Sequence, residues 1–222
     1  MKKLFTLILA VALATPTFAQ FNSHRTTRNR FNHNDTELYY GLRLGLNISS
    51  LSSDVNFDMN TRTGLAFGGV FGFQLVNSQP IYLETGLFYS EKGGETHWVD
   101  NMNNSQEVRC RLSYLQLPIV GKYSFNVYDD LFIQPFLGGY LSVGIAGRFK
   151  EYGYDNVPDS RKAYSSYDWF NRFDGGLRIG CGVEYKIVYA ELGFDFGLAN
   201  ISKGDFDATR TRNFFMNVGV NF

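Results

Sequence analysis

Between Leu38 and Phe222, apolar residues recur at every second position in eight separate stretches, a period that fits β-strands with one apolar face. In the first stretch Leu38, Tyr40, Leu42, Leu44, Leu46 and Ile48 share a face, while Tyr39, Gly41, Arg43, Gly45 and Asn47 share the other. In the last, Phe214, Met216, Val218, Val220 and Phe222 alternate with Asn213, Phe215, Asn217, Gly219 and Asn221. The six between them run from Leu65 to Leu75, Ile81 to Tyr89, Leu115 to Tyr123, Leu131 to Ile145, Phe173 to Tyr185 and Val188 to Leu198. Their less apolar faces are mainly Gly, Asn, Gln and Tyr, which suit a narrow interior better than they suit a soluble surface rich in Lys and Glu.

The connections alternate in length. Polar segments at Glu91 to Val108, Gly147 to Asn171 and Ala199 to Arg210 are long, whereas the reversals at Val76 to Pro80, Asn126 to Asp130 and near Lys186 are short. An even strand number with this asymmetry predicts an all-β fold, an eight-stranded antiparallel up-and-down transmembrane β-barrel with long outer loops and both termini on the periplasmic side. Outward aromatic residues at the strand ends fit two interfacial girdles, Tyr40, Phe73, Tyr123, Tyr185 and Phe222 at one rim and Tyr89, Phe173 and Phe214 toward the other. The alternative fold is a soluble secreted lipocalin-like ligand-binding barrel, which would invert the arrangement, with an apolar cavity and a charged exterior.

The N-terminus carries an export signal. Lys2 and Lys3, an apolar run from Leu4 to Leu13 and the small-x-small site Thr17-Phe18-Ala19 predict a signal peptide over residues 1–19, cleaved after Ala19. Residues 20–37 are polar and aperiodic and read as a flexible periplasmic tail, with the barrel over 38–222. No cysteine follows the cleavage site to carry a lipid anchor, and no other stretch supplies the ~20 apolar residues of a membrane helix. Without Lys2 and Lys3 the 21 basic residues fall to 19 against 21 acidic ones, so charge gives no reason to expect nucleic acid.

Three segments carry a family resemblance. Tyr114-Leu-Gln-Leu-Pro-Ile-Val-Gly-Lys-Tyr123 with Phe132-Ile-Gln-Pro-Phe-Leu-Gly-Gly-Tyr140, and the opening Tyr40-Gly-Leu-Arg-Leu-Gly-Leu-Asn47, resemble the PorT-like outer-membrane β-barrel family of Bacteroidota. The resemblance implies a small barrel similar to OmpA- and OmpX-like ones, and a link to type IX secretion. Family members often carry glutamate where Gln116 and Gln134 stand. A terminal strand closing on Phe222 also resembles the signature that the barrel-assembly machinery reads, so that machinery and outer-membrane lipid are expected partners, with a secretion-system or cell-surface partner beyond them.

Parity sends Arg43, Lys122 and Arg178 inward together with Glu84, Asp174, Glu184, Glu191 and Asp195. Ionisable groups at membrane depth are costly unless paired, so Arg43, Glu84, Arg178, Glu191 and Asp195, near the strand middles, are expected to form a bridged network that plugs the barrel, with a gate or proton path as the functional alternative. Arg178 should face Asp195 or Gly193, with Glu191 as its nearest substitute partner. Tyr152, Tyr154, Tyr164, Tyr167 and Trp169 make the segment from Gly147 to Asn171 a candidate recognition loop, or else pack on neighbouring loops. An enzyme acting on lipid A would draw on His97 with Ser90, Ser105 and Asp100, but sequence proximity does not make a triad. Cys110 and Cys181 differ in face and depth, which argues against a disulfide. The reading is a non-enzymatic structural or interaction protein with no cofactor and no metal site.

Overall fold

The computed structural model describes residues 38–53, 60–76, 79–99, 105–152, 158–162, 164, 171–202 and 209–222; the expected leader and tail lie outside them. Ten strands form one antiparallel sheet: β1 (Leu38–Ser53), β2 (Asn60–Val76), β3 (Ile81–Val99), β4 (Ser105–Tyr123), β5 (Phe125–Tyr128), β6 (Leu131–Tyr152), β7 (Pro158–Lys162), β8 (Phe173–Tyr185), β9 (Val188–Gly197) and β10 (Thr209–Asn221). The ladder runs β4-β3-β2-β1-β10-β9-β8-β6, with β1 on β10, and the β4–β6 pairing closes the circle. The result is a closed eight-stranded barrel, because β5 continues the β4 ladder on β6 in unchanged register, Lys122↔Phe136 then Phe125↔Ile133. The short strand β7 is an annex that pairs β6 alone, above the point where β8 begins.

The exterior is apolar throughout the band of eight strands. Leu42, Leu137 and Val218 are 60% or more exposed, and Leu, Ile, Val and Phe occupy the outward positions of every long strand. A water-facing surface of that extent would drive aggregation, and a bilayer removes the problem. The interior is the reverse, with Arg43, Asn47, Glu84, Lys122, Asp174, Arg178 and Asp195 all buried, which excludes the lipocalin-like arrangement. At the rims, Tyr40 stacks on Phe222 at 5.8 Å, Tyr123 packs on Phe125 at 4.3 Å, and Phe67 stacks on Tyr89 at 5.1 Å.

Eight strands leave a lumen one side chain wide, and it is filled by setting large rings over inward glycines on adjacent strands. Tyr39 covers Gly72, Phe136 covers Gly180, Tyr189 covers Gly182 and Phe215 covers Gly193. The hairpin between β8 and β9 has two residues, and Lys186 there takes a positive φ of 57°, the hand that tight hairpins require.

The strands run farther than the sequence pattern implied. The supposed loop from Glu91 to Val108 is mostly β3 and β4, 19 residues each, and the segment from Gly147 contains the end of the 22-residue β6 and the whole of β7. A tilted strand crosses the hydrocarbon in about 10 residues, so the upper parts of β3, β4 and β6 stand above the membrane. There the outer face meets water or headgroups instead of hydrocarbon, and the apolar alternation that marks a strand is lost. Gly72→Val should destabilise the barrel by about 1–3 kcal/mol, because the new side chain meets the Tyr39 ring, whereas Gly69→Ala, on the outward face with only ordinary contacts, should be tolerated. Urea unfolding in detergent micelles measures both.

Candidate functional site

The polar interior is divided into two ionic clusters. In the lower one, β3 supplies Glu84, whose Oε2 accepts hydrogen bonds from Lys122 Nζ of β4 at 2.7 Å and from Tyr39 Oη of β1 at 2.7 Å, with Arg43 Nη2 at 3.8 Å. The Arg43 guanidinium lies 3.9 Å from the centre of the Tyr189 ring, and Lys122 also donates to the Tyr189 hydroxyl at 2.7 Å. Tyr189 in turn donates to Glu191 at 3.1 Å, and Asn217 donates to the same carboxylate at 2.7 Å.

In the upper cluster the register sets Arg178 of β8 directly opposite Asp195 of β9, with Nε 3.5 Å from Oδ1. Asp195 Oδ2 accepts from Gln116 at 3.1 Å and from Asn213 at 3.3 Å. Lys92 of β3 enters the same group, 3.4 Å from Asp174 and 4.0 Å from Asp195, and Asp174 also accepts from Thr211 at 3.0 Å. Between the clusters lie Phe136 and Phe215, stacked at 6.3 Å, with Lys122 near the first ring and Arg178 3.8 Å over the second. The expected residues are therefore brought together as two groups rather than one network, and Glu191 belongs with Tyr189 and Asn217 in the lower group, away from Arg178.

Lys92 is the residue that the sequence reading missed. It is 2% exposed, and it continues the inward parity of Tyr82, Glu84, Gly86, Phe88 and Ser90, a signal that was present but lay within the segment taken for a loop. Among the described side chains a cavity of about 10 Å³ is lined by Asn47, Phe88, Gln116, Arg178 and Asp195 among others, room for one water. Ser90, a candidate for the lipid A triad, is buried here and holds Asn47 Nδ2 at 2.9 Å. His97 lies on β3, and Asp100 lies outside the described residues.

Above the ionic clusters, the outer mouth is closed by an apolar cap of Leu51, Cys110, Leu112, Tyr114, Tyr164 and Ile201. Ile201 is held in place by backbone bonds to Asn171 at 2.7 Å and to Thr209 at 2.9 Å. Tyr164, expected in the recognition loop, is instead 8% exposed, with its ring over Gly144 and its carbonyl accepting from Arg172 at 3.1 Å. Its aromatic ring has more to gain from filling the mouth than from water. Tyr152 ends β6, while Tyr154, Tyr167 and Trp169 lie outside the described residues. Cys110 and Cys181 are both free thiols, and burial pushes Cys110 up to about 12. Among the described residues no group of His, Cys, Asp or Glu could hold a metal ion.

On the outside, just above the Tyr89 ring, Glu91 binds both carboxylate oxygens to Arg111 Nη2, at 2.6 and 2.8 Å, and accepts from Tyr89 Oη at 2.8 Å. Burial pushes the Glu91 carboxyl up, but the bonds from Arg111 and Tyr89 more than reverse this and hold it below the ordinary carboxylate value. Lys92→Met should destabilise the barrel by about 3–5 kcal/mol by leaving Asp174 without its cation, and Lys92→Met with Asp174→Asn should recover part of that loss. A double-mutant cycle on micelle unfolding measures the coupling, and additive effects would contradict the pairing.

Residues 18–203 match the outer membrane protein β-barrel domain family. A comparison with curated proteins finds no match. Among solved structures, the chain is similar to Ail, the attachment invasion locus protein of Yersinia pestis (10% identity, 84% of this chain and 100% of that one, TM-score 0.42). It is also similar to Neisserial surface protein A (16%, 84% and 98%, 0.44) and to the outer membrane protein OprG of Pseudomonas aeruginosa (11%, 83% and 95%, 0.38). With that match covering most of its length, the chain belongs to the outer membrane protein β-barrel domain family, and it is an outer-membrane barrel.

Proposed function

We propose that this barrel conducts nothing of consequence and works as a structural and interaction protein through the strands that rise above the membrane. The observation that carries this reading is the filled interior. A lumen packed with side chains, in which the space beside Arg178 and Asp195 holds about 10 Å³ beneath an apolar cap of Leu112, Tyr114, Tyr164 and Ile201, favours no continuous path for a solute among the described residues. The ionic clusters then act as a plug. Their cations and carboxylates are paired within the lumen, as a static filler needs, and two stacked rings separate them, which does not favour a proton path. Work at the outer surface is favoured by the length of β3, β4 and β6, roughly twice what a crossing uses.

Export by a leader cleaved after Ala19 is part of the same proposal, as is recognition of the terminal strand by the barrel-assembly machinery. The position of Phe222 at the closing seam supports this reading. Its N–H donates to the Tyr40 carbonyl at 2.8 Å and its carbonyl accepts from Tyr40 N–H at 3.1 Å, at the seam where the first and last strands meet. The PorT-like motifs extend the proposal to a partner in type IX secretion. No catalytic role is assigned. In planar bilayers the purified protein is expected to give no steady large-pore current, and a sustained one would overturn the plug. Crosslinking in intact cells should trap partners through β3, β4 and β6. Secretion components among them would support the PorT-like role, and their absence alongside surface components would replace it with adhesion.

A further inference from the structure

We infer that the outward face of β4 and β6 above the membrane is a binding site for the phosphorylated headgroup of an outer-leaflet glycolipid. Going up β4, the outward positions read Leu117, Leu115, Ser113, Arg111 and Arg109; going up β6, they read Leu141, Val143, Ile145, Arg148 and Lys150. On both strands the face changes from hydrocarbon to cation over the same short interval. The register then sets Arg111 opposite Arg148 and Arg109 opposite Lys150. Two successive cross-strand pairs of like charge on one face are destabilising by themselves, and an anion bound between them would reverse the sign.

A bulge creates this arrangement. Below it, even-numbered residues of β6 point into the barrel, as Phe136, Tyr140 and Ser142 do. The register slips by one residue between Ser113↔Ala146 and Tyr114↔Gly144, which leaves Ile145 extra and turns the even-numbered Arg148 and Lys150 outward beside Arg111 and Arg109. Without it, both cations would point into the sealed mouth.

The cations enclose a cavity of about 250 Å³ lined by Arg62, Arg109, Arg111, Arg148 and Lys150, several times the ~30 Å³ that a water occupies in the liquid. Arg62 comes from β2 and donates to the Cys110 carbonyl of β4 at 3.5 Å, reaching across β3 where Gly93 and Gly94 have no side chains. Two carboxylates of β3 belong to the neighbourhood. Glu91 binds Arg111, and Glu95 lies 3.9 Å from Arg109 Nε, so among the described side chains here five cations face two anions. Among the described residues Arg148 and Lys150 have no carboxylate partner, and the side chains of Arg109 and Arg111 are about half exposed, at 49% and 51%.

Position selects the source of the anion. The site faces outward rather than along the barrel axis, and it begins a few residues above Leu115 and Ile145, beside the girdle residue Tyr89. A headgroup of a lipid lying against that apolar band reaches it without leaving the membrane. This deepens the surface-interaction reading and rests on it, but loss of phosphate selectivity would leave the closed, non-conducting barrel standing.

The test uses the full mature chain in micelles and native mass spectrometry with lipid A and with the same lipid A after phosphatase treatment. The phosphorylated form should bind at least about ten-fold more tightly, the equivalent of one charge-assisted hydrogen bond. The preference should shrink as salt rises. Arg148→Gln with Lys150→Gln should abolish it while the unboiled protein keeps its folded gel mobility, and Arg148→Lys should retain most of it. Should the double variant not fold, Lys150→Gln alone is expected to lower the preference. Equal binding of the two lipids, or an unchanged preference in a folded double variant, would overturn the inference. Inositol hexakisphosphate is the soluble control; if it displaces lipid A at equal concentration, the site serves a soluble polyanion and the lipid assignment fails, whereas a requirement for large excess supports it.

Discussion

Every backbone N–H and C=O inside a bilayer must find its partner within the protein, since hydrocarbon offers none, and a sheet meets that demand only by closing on itself. Here closure depends on one seam, β1 against β10, from Gly41↔Asn221 to Ser53↔Thr209, with Phe222 and Tyr40 exchanging both backbone bonds at its lower end. Once eight strands close, the lumen is too narrow for bulk water and too wide for backbone alone. The alternation of ring and glycine, and the need for each inward charge to meet its opposite, follow from that diameter.

The clusters also show how burial distributes charge. Asp195 is shared by Arg178 and Lys92, and Glu84 by Lys122 and Arg43, so each of these two carboxylates answers two cations, while Gln116 and Asn213 donate to Asp195 Oδ2 and Tyr39 to Glu84 Oε2. Desolvation in such a place outweighs any single Coulomb contact, and geometry with several donors is what makes the ionised forms tolerable. Tyrosines are useful here because one ring fills space, accepts a cation on its face and still donates from its hydroxyl, as Tyr189 does toward Arg43 and Glu191.

Much of this was legible in the sequence because a membrane imposes a strict parity. Strand number, the closed fold and the inward charges all follow from counting by twos, which also narrows the residue opposite Arg178 to Gly193 or Asp195; the two-residue hairpin at Lys186 then selects Asp195. What was not legible lies above the hydrocarbon. At Lys92 the parity persists, but with Glu91 beside it both faces are polar and the stretch looks like a loop. At Ile145 the bulge changes which residues face out, and no local composition marks it, so Arg148 and Lys150 could not be assigned to a face. For Tyr164 the sequence leaves two readings open for a related reason: whether a loop aromatic meets a partner or turns back to cover the mouth depends on space that Gly144 leaves, and Gly144 is twenty residues away.

The burial of Cys110 gives the barrel a chemical clock. Its thiol is enclosed by Leu51, Leu112, Tyr114, Tyr164 and Ile201 and held protonated, so a water-soluble maleimide can modify it only when the cap breathes. The rate of that modification in the native protein, set against the rate for the same thiol in the unfolded chain, gives the opening free energy of the outer mouth without a bound ligand or a current.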